Sequence, residues 1–108
     1  MSAQILALPV APTPVSDVRE VVSQGLLHIH FQPIVHMAEG RVFGHEALIR
    51  PQSPSPWTTP DTLFAAARQC GWTIELELEC LRLALQAWAR SAERGWLFVN
   101  LSAQALVQ

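Results

Sequence analysis

The sequence predicts an α/β fold in which an antiparallel hairpin feeds, through a helical crossover, a further strand parallel to the hairpin's second arm. Three observations carry this. Residues 27–36 and 41–50 are strand-like runs separated only by Met37-Ala38-Glu39-Gly40, and so short a link joins antiparallel neighbours. Residues 60–94 change to helical spacing of apolar side chains, and residues 96–101 return to alternation in twos. A strand, a helical crossover and another strand imply a βαβ unit with a parallel pairing.

Each element has its own local signals. Residues 1–14 carry Pro9, Pro12 and Pro14 without periodicity and read as a disordered or extended leader. Ser16 is placed to cap a short helix over residues 17–24, with Asp17 and Glu20 in its first turn, three valines on one side and Gly25 at its end. In the first strand His28, His30, Gln32 and Ile34 share one face, and Ile29, Phe31 and Val35 the other. Pro33 cannot donate to a ladder, which predicts an edge strand or a bulge.

Residues 51–59 form a proline- and serine-rich loop. Thr59 reads as an N-cap and Pro60 as the first helical residue of a helix reaching about Cys70, with Leu63, Phe64 and Ala67 inward and Gly71 ending it. A second helix is expected from Thr73 to about Arg94, with Leu78, Leu81, Leu85, Trp88 and Ala92 as its inward stripe and Gly95 closing it. Glu75, Glu77 and Glu79 crowd its start and read as solvated partners of the helix dipole. Trp96, Phe98 and Asn100 then alternate with Leu97, Val99 and Leu101 in a strand, before the first turn of another helix. Trp88 and Trp96 are assigned to the core, and Trp57 and Trp72 to positions over helix ends. These elements stop short of a closed sheet or barrel, and the last strand is left with an open edge.

Composition excludes several classes. The chain has 108 residues, is half hydrophobic and carries a formal charge of −2, which suits one globular domain or part of a larger one and offers no basic patch for a nucleic acid polymer. No apolar run has the length of a membrane span, and the apolar piece from Ile5 to Ala11 has no basic residue before it, against a signal peptide. Cys70 and Cys80 lack metal or redox spacing, so free thiols in a cytoplasmic protein are expected. His28 and His30 could chelate from one strand face, but no cysteine or third histidine follows at ligand spacing.

The chemistry concentrates in Gly44-His45-Glu46-Ala47-Leu48-Ile49-Arg50. On a strand Gly44, Glu46, Leu48 and Arg50 share one face. A carboxylate offers hard oxygen ligation, and a guanidinium matches the fork of a phosphate. The plainer alternative is a surface strand with an ion pair between Glu46 and Arg50.

Together with Phe31-Gln32-Pro33-Ile34-Val35 and Val99-Asn100-Leu101-Ser102, this stretch resembles the EAL domain family of bacterial phosphodiesterases that cleave cyclic di-GMP. The three motifs occur in the family's order, with a helical region between, and the resemblance covers roughly residues 26–108. It implies an incomplete TIM-like (β/α)8 barrel whose first strand is antiparallel to the rest; residues 1–25, outside the resemblance, are the leader and short helix read above. A complete barrel of this kind takes about 250 residues.

By the same resemblance Glu46 and Asn100 are ligands of a catalytic Mg²⁺ or Mn²⁺, Gln32 and Arg50 contact the dinucleotide, Arg50 at a phosphate, and Leu48 shapes the base pocket. The family's further glutamates, paired aspartates and lysine have no counterpart, since Asp17 and Asp61 are the only aspartates and the chain contains no lysine. The expectation is the N-terminal portion of a cyclic di-GMP phosphodiesterase, inactive by itself, cytoplasmic, from a parent that pairs as related full-length domains commonly do. The alternative is a non-catalytic cyclic di-GMP-binding or protein-interaction module from a degenerate or truncated domain.

Overall fold

The computed structural model describes residues 15–106, so the expected leader over residues 1–14 lies outside the described residues. The elements are α1 (Val18–Ser23), β1 (Leu27–His36), β2 (Arg41–Pro51), α2 (Pro60–Gln69), α3 (Thr73–Arg90), β3 (Trp96–Phe98) and α4 (Ala103–Leu106). They form a mixed α/β arrangement around one three-stranded sheet in the order β1-β2-β3, with β1 antiparallel and β3 parallel to β2. No described helix is long and apolar enough to cross a membrane.

The hairpin forms as expected, in a register running from Leu27 opposite Pro51 to His36 opposite Arg41. Pro33 lies on the edge strand, the first of its expected tolerances; the register shift follows between Ile34 and Val35 and leaves Phe43 of β2 as the extra residue. Opposed residues share a face. His28, His30 and Gln32 stand opposite Arg50, Leu48 and Glu46, and Trp96 and Phe98 stand opposite Gly44 and Glu46. Ile29, Phe31, His45, Ala47 and Ile49 occupy the other face, where the Phe31 ring meets Trp88 of α3 edge-on with centroids 5.4 Å apart.

The core sits at one end of the sheet, where α1, α2 and the first half of α3 meet. Val18, Val21, Leu27, Leu63, Ala67 and Leu76 form one buried cluster, with Trp57 and Trp72 packed against it over the helix ends. The sequence specifies these helices closely. Thr59 Oγ1 accepts from the Thr62 amide at 3.2 Å, Thr62 Oγ1 accepts from the Thr59 amide at 3.3 Å, and Pro60 occupies the first turn of α2. At the other end of α2 Gly71 has φ +69°, its amide donates to Arg68 O and the Trp72 amide to Ala67 O, closing the last turn in a Schellman motif.

Four expectations are corrected. The cap of α1 is Asp17, whose Oδ1 accepts from the Arg19 amide at 2.8 Å, while Ser16 turns its hydroxyl to Glu20. The second crossover helix ends at Arg90, because the Ser91 hydroxyl donates to Trp88 O at 2.8 Å and accepts from the Glu93 amide, drawing the chain out of the helix. Its inward side centres on Leu76, Cys80, Leu83 and Ala84; of the expected stripe Leu81 and Trp88 are half-buried, whereas Leu78 and Leu85 are 41% and 53% exposed, because they lie on the side of the helix turned away from the core. Finally, β3 covers only Trp96–Phe98, and Trp96 is 65% exposed on the uncovered sheet face.

Gly44 sets the approach of β3 to β2. A Cβ there would lie 2.6 Å from Trp96 O and 3.0 Å from Phe98 Cε2. Replacing Gly44 with alanine should therefore force the two strands apart, lowering stability by roughly 1–3 kcal/mol and removing hydrogen-exchange protection at residues 96–98. An unchanged unfolding curve would mean that the strands have room to spare. Urea unfolding should also separate the two sides of α3. Leu76→Ala should lose about 2–5 kcal/mol and Leu85→Ala no more than about 0.5 kcal/mol.

Candidate functional site

Gln32, Glu46, Leu48 and Arg50 all project from the sheet face opposite the helices, as alternation on β1 and β2 requires. Gln32 is exposed and directly across from Glu46, while Glu46, Leu48 and Arg50 are half-buried. Asn100 arrives from the segment just past β3. The parallel register puts Phe98 beside Glu46, and two residues later Asn100 Nδ2 donates to Glu46 Oε2 at 3.1 Å. Residues 54 positions apart in the chain are thus joined side chain to side chain.

The plain ion pair between Glu46 and Arg50 does not form among the described residues. Glu46 takes Asn100, and Arg50 Nη1 donates to Ile49 O at 3.0 Å, holding the guanidinium at the end of β2 near Leu48 and His28. Arg50 and Asn100 also line a cavity of about 240 Å³, whose apolar wall includes Ile29, Ala47, Ile49, Phe64 and Leu81. It lies at the sheet edge where β3, ending at Phe98, leaves the last residues of β2 without a parallel neighbour, so that Leu48 and Arg50 from one face and Ala47 and Ile49 from the other all border it.

His45 points the other way. It is only 6% exposed, with Nε2 3.3 Å from Glu93 Oε2, its ring against Trp88 and Nδ1 without a hydrogen-bond partner. It ties the α3–β3 connection to β2 and takes no part in the Glu46 face. His28 and His30 are exposed on β1, and no group of three or more His, Cys, Asp or Glu side chains converges among the described residues. Cys70 and Cys80 are free thiols, and burial pushes the Cys80 thiol up to about 12, with the Glu79 and Glu77 carboxylates adding to it. A thiol so raised stays protonated and unreactive at neutral pH.

One long-range contact escaped the sequence. Glu77 is not a solvated dipole partner. Its carboxylate accepts from both the backbone and the hydroxyl of Ser102, at 3.0 and 2.6 Å. Nothing in the spacing of the three glutamates of α3 singles it out, since its partner lies 25 residues away.

As a donor set, Glu46 and Asn100 bring a carboxylate and an amide to one point. Both can present hard oxygens, suited to Mg²⁺ or Mn²⁺ rather than to a thiolate-seeking ion. Two protein ligands fit part of such a site and leave most positions to other groups.

The EAL domain model matches residues 15–108. A curated relative, "Probable cyclic di-GMP phosphodiesterase PdeB" of Escherichia coli (strain K12), is 34% identical over 82 residues, covering 72% of this chain and 16% of the relative. A solved structure, "PaMucR Phosphodiesterase, c-di-GMP complex", superposes with a TM-score of 0.66 at 26% identity, covering 84% of this chain and 41% of that one. The chain therefore spans well under half of the relatives it matches. With a family model that takes in residues 15–108 and a curated relative 34% identical over 72% of this chain's length, the chain belongs to the EAL domain family.

Proposed function

We propose that residues 26–108 form the N-terminal portion of a cyclic di-GMP phosphodiesterase domain, one that hydrolyses the cyclic dinucleotide to linear pGpG. In this reading residues 1–25 are a leader and short helix, and the sheet is the first sector of a TIM-like (β/α)8 barrel with an antiparallel first strand. The convergence of Glu46 and Asn100 carries the reading, because two polar side chains from separate motifs meet on the open face beside Arg50. Catalytic residues of such barrels gather at the C-terminal ends of the strands; Arg50 lies at that end of β2, and Asn100 lies just past that end of β3, whose last residue Phe98 stands beside Glu46.

Each side chain has a definite task. Glu46 and Asn100 would hold Mg²⁺ or Mn²⁺, and turning the Asn100 amide would present its oxygen beside the carboxylate. A bound ion of this kind acidifies its water and offsets charge developing on the phosphodiester. Arg50, already at the end of β2, pairs with a phosphate. Gln32 contacts the dinucleotide from β1, and Leu48 presents an apolar surface to a base. The complete domain would act in the cytoplasm, where cyclic di-GMP serves as a second messenger, and would associate as a homodimer.

The chain by itself should not turn over substrate. It contains no lysine and only two, non-adjacent aspartates, so it cannot furnish the remaining acidic and basic groups of the site. Incubation of the purified chain with cyclic di-GMP and Mg²⁺ or Mn²⁺ should give no pGpG by chromatography, and multiple turnovers would overturn this. Binding of cyclic di-GMP, followed by titration calorimetry, should weaken about 10-fold or more in Arg50→Ala, the loss expected of one charge-assisted hydrogen bond. Equal affinity in the variant would remove Arg50 from the phosphate contact.

A further inference from the structure

The segment after β3 is pinned at both ends. At its start Phe98 lies in register with Glu46. At its end Ser102 is gripped by Glu77, with the amide donating to Oε1 at 3.0 Å and the hydroxyl to Oε2 at 2.6 Å. The same hydroxyl accepts from the Ala105 amide at 3.2 Å and so opens α4. Between the pins lie Val99, Asn100 and Leu101, and the middle one reaches Glu46. Three residues extend at most about 11 Å, so Asn100 stays close to both pins.

We propose that Glu77 is a positioning residue for Asn100. By spending both carboxylate oxygens on Ser102 it holds the Asn100 amide against Glu46, in place to share a divalent cation. The purpose assigned to this grip rests on the metal reading above, whereas the grip itself rests only on the geometry. A glutamate in the second turn of a helix is satisfied by the helix dipole and by water. Here it bridges instead to the residue two places beyond a candidate ligand. Such outer partners fix ligand orientation, and their loss typically costs about 10–100-fold in metal affinity.

The test is NMR of the ¹⁵N-labelled chain, with the Asn100 side-chain amide assigned by its disappearance in Asn100→Ala. In the native chain this resonance should move on Glu46→Gln. In Glu77→Ala it should shift to the position of a free amide and lose its response to Glu46→Gln. Glu77→Gln, which keeps one acceptor oxygen, should restore part of the shift. Should Glu77→Ala fail to fold, Glu77→Gln, of nearly the same volume, decides by the same two readouts. On titration with Mn²⁺ the concentration that half-broadens Asn100 should rise about 10-fold in the variant. If the Ser102 amide moves in Glu77→Ala while the Asn100 amide stays put, Glu77 only caps α4 and the proposal is overturned. If Asn100 and Glu46 in the native chain ignore Mn²⁺, it is the metal reading that fails, and the metal-free comparison still reports on the grip.

Discussion

Gly44 and Trp96 meet so closely that a single added methyl group would fall 2.6 Å from a carbonyl oxygen. That approach lets β3 pair with β2 over Gly44–Glu46, and the pairing directs the chain beyond β3. Phe98 comes to rest beside Glu46, so Asn100 emerges within reach of the Glu46 carboxylate. The site is thus built by backbone proximity first and by side-chain chemistry second. Glu77 and His45 support the same joint from the helical side, the one through Ser102 and the other through Glu93.

The two sheet faces differ in kind. One is covered by α2 and α3 and carries Ile29, Phe31 and Ile49 toward them. The other combines Gln32, Glu46 and Arg50 with Trp96 and Phe98, which are 65% and 40% exposed. Sheets with parallel strands are ordinarily covered on both sides. A half-polar, half-aromatic face with no cover among the described residues suits the lining of a barrel mouth, where the polar groups meet a ligand and the aromatic rings meet further strands. That is why this chain is proposed as one sector of a larger catalytic domain rather than as a self-sufficient module.

Signals that act over a few residues were legible in the sequence. Met37 to Gly40 specified the hairpin, Thr59 and Pro60 the start of α2, and Gly71 its end, because a turn or a cap is decided by the residues that form it. Signals that depend on distant partners were not. The apolar spacing of α3 fits more than one rotation about its axis, and packing through Leu76 and Ala84 left Leu78 and Leu85 on the far side of the helix. Ser91 broke the helix before Gly95 through a side chain that competes for backbone groups. Trp96 resembles a core residue in any local window, yet its face has no cover among the described residues. In the site, alternation placed Glu46, Leu48 and Arg50 on one face, and the motifs suggested Asn100. The link from Glu77 to Ser102 had no local sign at all.

In the function proposed above, Glu46 and Asn100 jointly hold a divalent cation. Crystals of the chain grown with Mn²⁺ and measured at a wavelength where manganese scatters anomalously would test it most directly. A peak about 2.1 Å from both the Glu46 carboxylate and the Asn100 amide oxygen is the predicted result. A strong peak elsewhere, at His28 and His30 for example, with none between Glu46 and Asn100, would contradict it.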